Sequence, residues 1–352
     1  MSGTSLDGVD AVLVDLGENI ELLNSVHHPL KANLRNALLL LNTPGNNELD
    51  RSAQAAIQLS QSYAEAVYQL LKPFPSIAPA AIGCHGQTVR HRPEFGYTIQ
   101  LSNPALLAEL TSISVVADFR SRDIAAGGQG APLVPAFHAA LFRHPSIHRV
   151  IVNIGGISNL TDLPTSGNIK GFDCGPGNVL LDSWIGAIEG KLYDDDGQWG
   201  QKGKLIPELL ERLLAEPYFS APPPKSTGRD LFNLAWLHTF RPHDHRPEDV
   251  QATLVELTAR GIADAIATYC RGAQEIYLCG GGARNGALAN RLKALLPNTA
   301  WRLTDDLGLP TDCVEACAFA WLAQQTLVKK AGNLPDVTGA KGSRILGAIY
   351  PA

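Results

Sequence analysis

Apolar and polar positions along this chain follow two different periods. Short runs of β-branched and other apolar residues bounded by glycine or turn residues are typical of strands, and they occupy residues 9–16, 97–101, 149–154 and 275–279. Apolar residues at helical spacing predict helices over residues 52–71 and 251–269, and another helix that begins near residue 179. Strands that alternate with helices in this way predict an α/β fold.

The strand pattern at the start of the chain occurs a second time. Residues 9–16 follow a glycine-rich turn, and residues 149–161 have the pattern of two strands joined by a glycine turn at 155–156. This repeat indicates a duplicated fold, and 352 residues exceed the size at which one hydrophobic core usually keeps growing. We therefore expect two domains with a cleft between them, residues 1–145 and 146–352, with the last helix packing back on the first domain. Because the sequence begins inside the first turn, we expect the first strand of the N-terminal domain to be missing.

Charge and composition indicate which kinds of partner this protein can bind. The net charge is −5, the isoelectric point is near 6.1, and the basic residues are scattered, so we expect no nucleic-acid partner. The sequence contains neither an apolar run of about 18 residues nor a secretory leader pattern, so we expect a cytoplasmic protein without a membrane partner. The six cysteines form no CxxC pair, which favours reduced thiols in the core.

Three loops combine glycine with hydroxyl or amide side chains and lie next to predicted strands. Glycine lets backbone N–H groups approach an anion closely, so such loops can bind phosphate. One loop of this kind is more often a simple chain reversal, but three of them favour a nucleotide site. The P-loop, dinucleotide-binding, nucleophile-elbow and zinc-protease patterns are all absent from these loops. The candidate nucleotide-binding residues are Gly3, Thr4, Ser5, Leu6, Asp7, Gly8, Gly155, Gly156, Gly280, Gly281, Gly282 and Asn285.

Eight segments, taken in order and spacing, resemble those of the anhydro-N-acetylmuramic acid kinase family. They are MSGTSLDG, GCHGQTVRH, DFRSRDIAAGGQGAPLVP, NIGGISN, GFDCGPGN, KSTGRDLFN, CGGGARN and PDVTGA, and they span nearly the whole chain. The resemblance implies two ribonuclease-H-like domains of the actin-like ATPase superfamily with ATP in the cleft. It places the loop at residues 3–8 near the β- and γ-phosphates and the loop at 280–285 near the adenosine.

The resemblance also implies the reaction. In this family, water attacks the anomeric carbon and opens the 1,6-anhydro bridge of the sugar, while the released O6 takes the γ-phosphate of ATP. The product is N-acetylmuramic acid 6-phosphate, for cell-wall recycling, and the cofactors are ATP and Mg²⁺. Two alternatives stay open: a sugar or acyl kinase of the same fold that acts on an ordinary hydroxyl, and a non-catalytic actin-like nucleotide switch. The oligomeric state is also open, with a homodimer among the arrangements to test.

By the same resemblance, Asp173 corresponds to the family's catalytic base. The alternative is an ordinary turn or a cap of the helix that follows the Gly-Pro-Gly segment at 175–177. Asp7, in the first phosphate loop, is the candidate Mg²⁺ contact, against an ordinary hairpin turn.

Two arginines after a predicted strand, Arg120 and Arg122, could bind the lactyl carboxylate of a muramic sugar through paired guanidinium donors. The alternative is a cluster of salt bridges. For His85 the alternative is a structural, hydrogen-bonded histidine, and for Glu315 it is a charge at a helix terminus. The full set of candidate sugar contacts is His85, Gln87, Thr88, Asp118, Arg120, Arg122 and Glu315.

Overall fold

A computed structural model describes residues 1–3, 6–17 and 20–352 of the chain. It divides into two units. The first contains residues 1–141 and 313–352, and the second contains residues 142–312. The chain therefore begins the first unit, builds the whole of the second, and returns to complete the first.

The helices and strands follow in chain order. The first unit begins with β1 (Gly8–Leu16), β2 (Ile20–Pro29), α1 (Ala32–Leu40), α2 (Glu48–Leu71), β3 (Ile82–Gly83), β4 (Gln87–Arg92), β5 (Tyr97–Leu101), α3 (Pro104–Thr111), β6 (Val115–Ala117), α4 (Ser121–Ala125) and α5 (Val134–Phe142). The next elements are β7 (Arg149–Ile154), β8 (Ile157–Leu163), β9 (Lys170–Pro176), α6 (Val179–Glu189), α7 (Pro207–Leu214), α8 (Pro217–Ser220), α9 (Leu234–His238), α10 (Pro247–Tyr269), β10 (Glu275–Cys279), α11 (Gly286–Leu295) and β11 (Ala300–Leu303). The returning segment forms α12 (Val314–Leu327), α13 (Pro335–Thr338) and β12 (Ala348–Tyr350).

The second unit is built on a five-stranded sheet with the order β11-β10-β7-β8-β9. β10 runs parallel to both β7 and β11, whereas β8 is antiparallel to β7 and β9. The central strand β7 is buried from Val150 to Ile154. Helices cover both faces of such a sheet, so its central strands consist largely of apolar, β-branched residues. This order and these directions are those of a ribonuclease-H-like domain, and the predicted α/β class is confirmed.

Strands of the first unit form smaller groups. β1 pairs antiparallel with β2, β4 pairs antiparallel with β5, and β6 lies between β3, which is parallel to it, and β12, which is antiparallel. The long helix α2 immediately precedes β3, as α10 precedes β10 in the second unit. Helix α12 lies directly on β3, since a Cβ at Gly83 would be 2.2 Å from the Phe319 carbonyl oxygen.

The structure also describes the cysteines and the lengths of the apolar helices. The six cysteines are all buried and form no disulfide within the described ranges, and burial raises the pKa of Cys317 to about 12. Across the described part of the chain, none of the helices combines the length and the apolar character needed to span a membrane.

Candidate functional site

Glycine backbones pack against each other at one end of the second unit's sheet. The turn Gly155-Gly156 joins β7 to β8, and its carbonyl oxygens accept hydrogen bonds from the amides of Asn178 at 2.8 Å and Gly177 at 2.9 Å. A Cβ at Gly177 would lie 2.3 Å from the Gly155 oxygen. The two loops approach so closely that a side chain at this point would not fit.

A second glycine loop, residues 280–285, follows β10 and touches the end of β7. Gly280 has φ +79°, and a Cβ there would lie 2.3 Å from Asn153 Oδ1. A Cβ at Gly282 would lie 2.3 Å from the Ile154 side chain, whereas Gly281 faces open space with nothing within 4 Å. The loop ends at Asn285, which caps α11 by accepting a hydrogen bond from the Leu288 amide at 3.1 Å.

These two loops therefore lie where β7 and β10 end side by side. Open α/β sheets bind ligands outside the carboxyl ends of their parallel strands. Backbone amides at a helix N-terminus such as that of α11 favour an anion. The nearby segment 194–200 supports the loop, because Asp196 Oδ1 accepts a hydrogen bond from the Gly286 amide at 2.8 Å. The arrangement can hold a nucleotide against backbone groups.

The first glycine turn belongs to the other unit, and its Thr4 and Ser5 lie outside the described residues. Leu6 is buried at φ +54° and donates its amide to Gly3 O at 3.3 Å. Asp7 is exposed, and its Oδ1 accepts a hydrogen bond from the Gly8 amide at 3.0 Å. The turn therefore presents one oriented carboxylate at the surface of this unit. Among residues 1–3, 6–17 and 20–352, no three His, Cys, Asp or Glu side chains come together as metal ligands.

His85 and Arg120 are brought together in the first unit. Arg120 donates to His85 Nε2 from Nη2 at 2.9 Å and from Nε at 3.3 Å, and its Nη1 donates to Gly130 O at 2.7 Å. The imidazole is buried and packs on the Phe319 ring at a centroid distance of 4.5 Å. Burial, together with the positive charge of Arg120, lowers the pKa of His85 well below its usual value. His85 is therefore a neutral acceptor, and in these hydrogen bonds Arg120 contacts an imidazole and a carbonyl.

The other candidate sugar contacts differ in exposure. Gln87 is buried in β4, and Thr88 Oγ1 accepts a hydrogen bond from Gln100 at 3.1 Å. Asp118 is exposed at φ +57° and accepts a hydrogen bond from the Ser121 hydroxyl at 2.5 Å. Arg122 is exposed on α4, and Glu315 is half-buried in the first turn of α12.

Asp173 lies within β9, because this strand continues through the glycine–proline segment to Pro176. Its Oδ2 accepts a hydrogen bond from the Thr227 amide at 2.9 Å, its own amide donates to Lys225 O at 3.2 Å, and its carbonyl accepts from the Tyr218 hydroxyl at 2.8 Å. The bond to the carboxylate comes from a residue distant in sequence, unlike a local turn, and the cap position of α6 is Asn178. Asp173 is thus fixed by tertiary contacts.

Sequence reasoning gave no role to the residues between 218 and 227 that hold this aspartate. Lys225 donates from Nζ to Tyr218 O at 3.0 Å and lies 4.7 Å from the centre of the Tyr218 ring. Burial lowers the pKa of Lys225, although the charge of Asp173 opposes that shift. Burial and the Asp173 charge raise the pKa of Tyr218 far above its usual value. The segment KSTGRDLFN contained the signal, but no periodicity in it indicated a partner on β9.

Fold and glycine loops together define a nucleotide-binding α/β protein of two ribonuclease-H-like units. A family model described as anhydro-N-acetylmuramic acid kinase matches residues 1–352. The kinase of that name from Nitrosomonas europaea is 58% identical over 358 residues, covering 100% of this chain and 98% of the relative. That from Pseudomonas putida is 52% identical over 356 residues, with the same coverage. The chain belongs to the anhydro-N-acetylmuramic acid kinase family and is an ATP-dependent sugar kinase.

Among solved structures, this chain is similar to the activator of 2-hydroxyisocaproyl-CoA dehydratase from Clostridium difficile with bound ADPNP. The match covers 91% of this chain and 98% of the activator chain. Its sequence identity is 12% and the TM-score is 0.42.

Proposed function

We propose that this kinase converts 1,6-anhydro-N-acetylmuramic acid, ATP and water into N-acetylmuramic acid 6-phosphate and ADP, as a step of peptidoglycan recycling. The full-length membership of the family carries the proposal. The fixed carboxylate of Asp173 on β9 supports it, because this reaction needs a base for water. The proposal includes a cytoplasmic location, where ATP is available, and no nucleic-acid partner.

Apart from one proton transfer, two bonds break in the reaction and two form. Water attacks C1 on the face opposite the bridge, and the C1–O6 bond breaks. O6 becomes an alkoxide that attacks the γ-phosphorus of ATP, and the bond from that phosphorus to the β,γ-bridging oxygen of ADP breaks. The proton of the attacking water goes to a carboxylate base, so one base serves both bond changes.

Asp173 is our candidate for that base. A base must be held in one orientation while the sugar and water come together, since misplacement by about 1 Å can cost about 10²-fold in rate. Its backbone and Oδ2 bond to the segment that contains Tyr218, Lys225 and Thr227, and the residue is half-buried. Each of these contacts limits the movement of the carboxylate.

ATP would use the glycine loops for its phosphates and adenosine. Gly280 and Gly282 let their loop pack closely against the end of β7, and the backbone of Gly281 faces open space where a ligand can approach it. Asp7 supplies an exposed, oriented oxygen donor, which fits a contact to Mg²⁺ or to one of its water ligands. When bound, Mg²⁺ would neutralise phosphate charge during transfer.

For the sugar, we assign the lactyl carboxylate to the arginines of the first unit. Arg122 is exposed, so its guanidinium can turn towards a ligand. Arg120 is oriented by His85 and Gly130 and would support that site with a fixed charge. The polar residues Gln87, Thr88, Asp118 and Glu315 complete the proposed sugar contacts.

Isotope labelling tests the reaction. Anhydro sugar and ATP are incubated with the enzyme in ¹⁸O-labelled water, and the product is analysed by mass. We expect one ¹⁸O at C1 and none in the transferred phosphoryl group, after correction for spontaneous anomeric exchange. Phosphorylation of N-acetylmuramic acid but not of its anhydro form would overturn the proposal, as would a product without label at C1.

A further inference from the structure

A fully buried carboxylate belongs to the same short helix as the arginines of the first unit. Asp123, on α4, has 0% of its surface exposed. Its Oδ2 accepts a hydrogen bond from the Gly130 amide at 2.8 Å, and its Oδ1 accepts from the Asn333 side-chain amide and the Thr338 hydroxyl, both at 2.7 Å. All three donors are neutral groups. A carboxylate is costly to bury unless hydrogen bonds replace its water, so these three bonds hold Asp123 in one position.

The bond to Gly130 connects Asp123 with Arg120. While the Gly130 amide donates to Asp123, the carbonyl of the same residue accepts a hydrogen bond from Arg120 Nη1 at 2.7 Å. The other donors of Arg120 bond to His85 Nε2. Gly130 has φ +68°, and a Cβ there would lie 2.8 Å from Ile124 Cγ1, so its backbone lies directly against that side chain. The position of the Asp123 carboxylate therefore sets the position of the Gly130 carbonyl.

The other side of the carboxylate is bonded to the C-terminal segment. Asn333 is buried, and its Oδ1 accepts a hydrogen bond from the Arg344 amide at 2.7 Å. Because a backbone amide can only donate, this bond orients Asn333 with its Nδ2 towards Asp123. The Gln129 amide donates to Thr338 O at 2.7 Å, so the loop before Gly130 is bonded to the same segment. Asp123 thus joins α4 to a segment 210 residues away in sequence.

We propose that Asp123 is a positioning residue for sugar binding, which fixes the orientation of the Arg120 guanidinium through the backbone of Gly130. This inference rests on the proposed function, because that function assigns Arg120 to the site of the lactyl carboxylate. Asp123 has no exposed surface and cannot touch the sugar itself. A guanidinium that is already held in its binding orientation loses less side-chain entropy when the ligand binds.

Asp123→Asn acts differently on the two sides of the carboxylate. The new side chain has one acceptor oxygen and one NH₂ group, and the oxygen is favoured at the Oδ1 position, where Asn333 and Thr338 both donate. The NH₂ group then faces the Gly130 amide, donor against donor, so Gly130 and Arg120 must move. Thr338→Val is the matched control. It removes one hydrogen bond at Oδ1, keeps the shape of the side chain and leaves the bond between Asp123 and Gly130 in place.

We expect Asp123→Asn to raise KM for the anhydro sugar roughly tenfold, with kcat and KM for ATP nearly unchanged. Thr338→Val should lower the melting temperature and change neither KM. The contact between Arg120 and His85 is measured without turnover, from the ¹⁵N resonance of His85 Nε2 in the free enzyme. That resonance should shift in Asp123→Asn and stay in place in Thr338→Val.

Three outcomes would overturn the proposal: equal rises in KM for sugar and ATP in Asp123→Asn, equal rises in KM for the sugar in both variants, or an unchanged His85 resonance in Asp123→Asn. Should Asp123→Asn not fold, Gly128→Ala replaces it with the same expected results. A Cβ at Gly128 would lie 2.2 Å from Asp123 Oδ2, so this variant displaces the carboxylate and keeps its charge.

The His85 resonance also separates this inference from the proposed function. Arg120→Gln is measured beside Asp123→Asn for this purpose. A shifted resonance in Asp123→Asn, with KM for the sugar unchanged in both variants, would support the positioning of Arg120 by Asp123 and would refute the assignment of Arg120 to the sugar.

Discussion

The backbone amide of Thr227 donates a 2.9 Å hydrogen bond to Asp173 Oδ2 across 54 residues of sequence. A hydrogen bond from a backbone group to a carboxylate is one of the stronger kinds in proteins. Because the amide belongs to the main chain, no side-chain substitution other than proline removes it directly. The position of the carboxylate thus depends on the course of the whole segment from Tyr218 to Thr227.

Replacing Asp173 by Asn keeps the shape of the side chain and removes its basicity. If Asp173 accepts the proton of the attacking water, kcat should fall roughly 10²–10⁴-fold while the Kd for ATP stays within a few-fold. Steady-state kinetics and nucleotide titration measure the two quantities. The exposed Asp50 supplies a matched Asp→Asn control that should behave as the wild type. Near wild-type turnover by Asp173→Asn would remove Asp173 from the mechanism.

Tyr218→Phe tests whether the contacts of Asp173 matter. The substitution removes the hydroxyl that donates to the Asp173 carbonyl at 2.8 Å, so we expect unfolding to require about 1 kcal/mol less free energy. If orientation of the base limits the rate, kcat falls as well, with KM for ATP unchanged. The exposed Tyr193 gives a Tyr→Phe control without either effect. Loss of stability with unchanged kcat would show that this contact serves the fold alone.

Local sequence rules predicted the bounds of strands that are short runs rich in β-branched and aromatic residues. The strands expected at 97–101, 149–154 and 275–279 have those same bounds in the structure. The helix expected at 52–71 begins earlier, at Glu48, because its first turn is polar and carries no apolar period. The helix expected at 251–269 begins earlier, at Pro247. Proline is common at the first position of a helix, so this residue could have marked the true start.

The candidate site was harder to predict because its contacts are tertiary. His85 and Arg120 meet across 35 residues, and no periodicity pairs them. Asp118 has a positive φ without being glycine, a conformation that the surrounding structure imposes and the local sequence does not announce. Residue types therefore indicated which side chains to consider, while the partners that fix them came from the fold.

Adjacent glycines provide a matched pair for the nucleotide loop. Gly280→Ala places a residue with a side chain at a positive φ, and its Cβ would lie 2.3 Å from Asn153 Oδ1. The Cβ of Gly281→Ala would have no atom within 4 Å. We expect Gly280→Ala to weaken ATP binding roughly 5- to 150-fold, since a strain of roughly 1–3 kcal/mol must be relieved by movement of the loop. Gly281→Ala should keep near wild-type affinity in the same calorimetric titration. Equal ATP affinities of the two variants would show that this loop does not bind the nucleotide.

Arg120 and Arg122 should differ when each is replaced by Gln. Arg122 is exposed, so its loss should raise KM for the anhydro sugar by an amount corresponding to roughly 1.5–3 kcal/mol, without a change in melting temperature. Arg120 holds His85 and Gly130 O, so its loss should lower the melting temperature as well. KM for ATP is the reference in both cases. A parallel rise in both KM values for Arg122→Gln would contradict a role in sugar binding.

Acid should destabilise the first unit through a buried histidine. Burial lowers the pKa of His138 to about 3, while the unfolded chain titrates near 6.5. Between these values the unfolded state binds one more proton, so stability falls as the pH falls from about 6.5 towards 3. His138→Gln should reduce that slope by about 1.4 kcal/mol per pH unit. Denaturant unfolding of both proteins tests this, and above about pH 7.5 their curves should run parallel. Identical slopes at acidic pH would show that His138 is not the group responsible.

Helix α12 packs Phe319 and Leu322 into a core with Val116 and Phe119, although the whole of the second unit separates these residues along the chain. Synthesis on the ribosome proceeds from the N-terminus, and domains generally fold as units when they are complete. Residues 142–312 form a contiguous unit and can be finished as soon as residue 312 has left the exit tunnel. The first unit cannot be completed until α12 (Val314–Leu327) has also left the tunnel. The unit that begins first along the chain is therefore completed after the second unit.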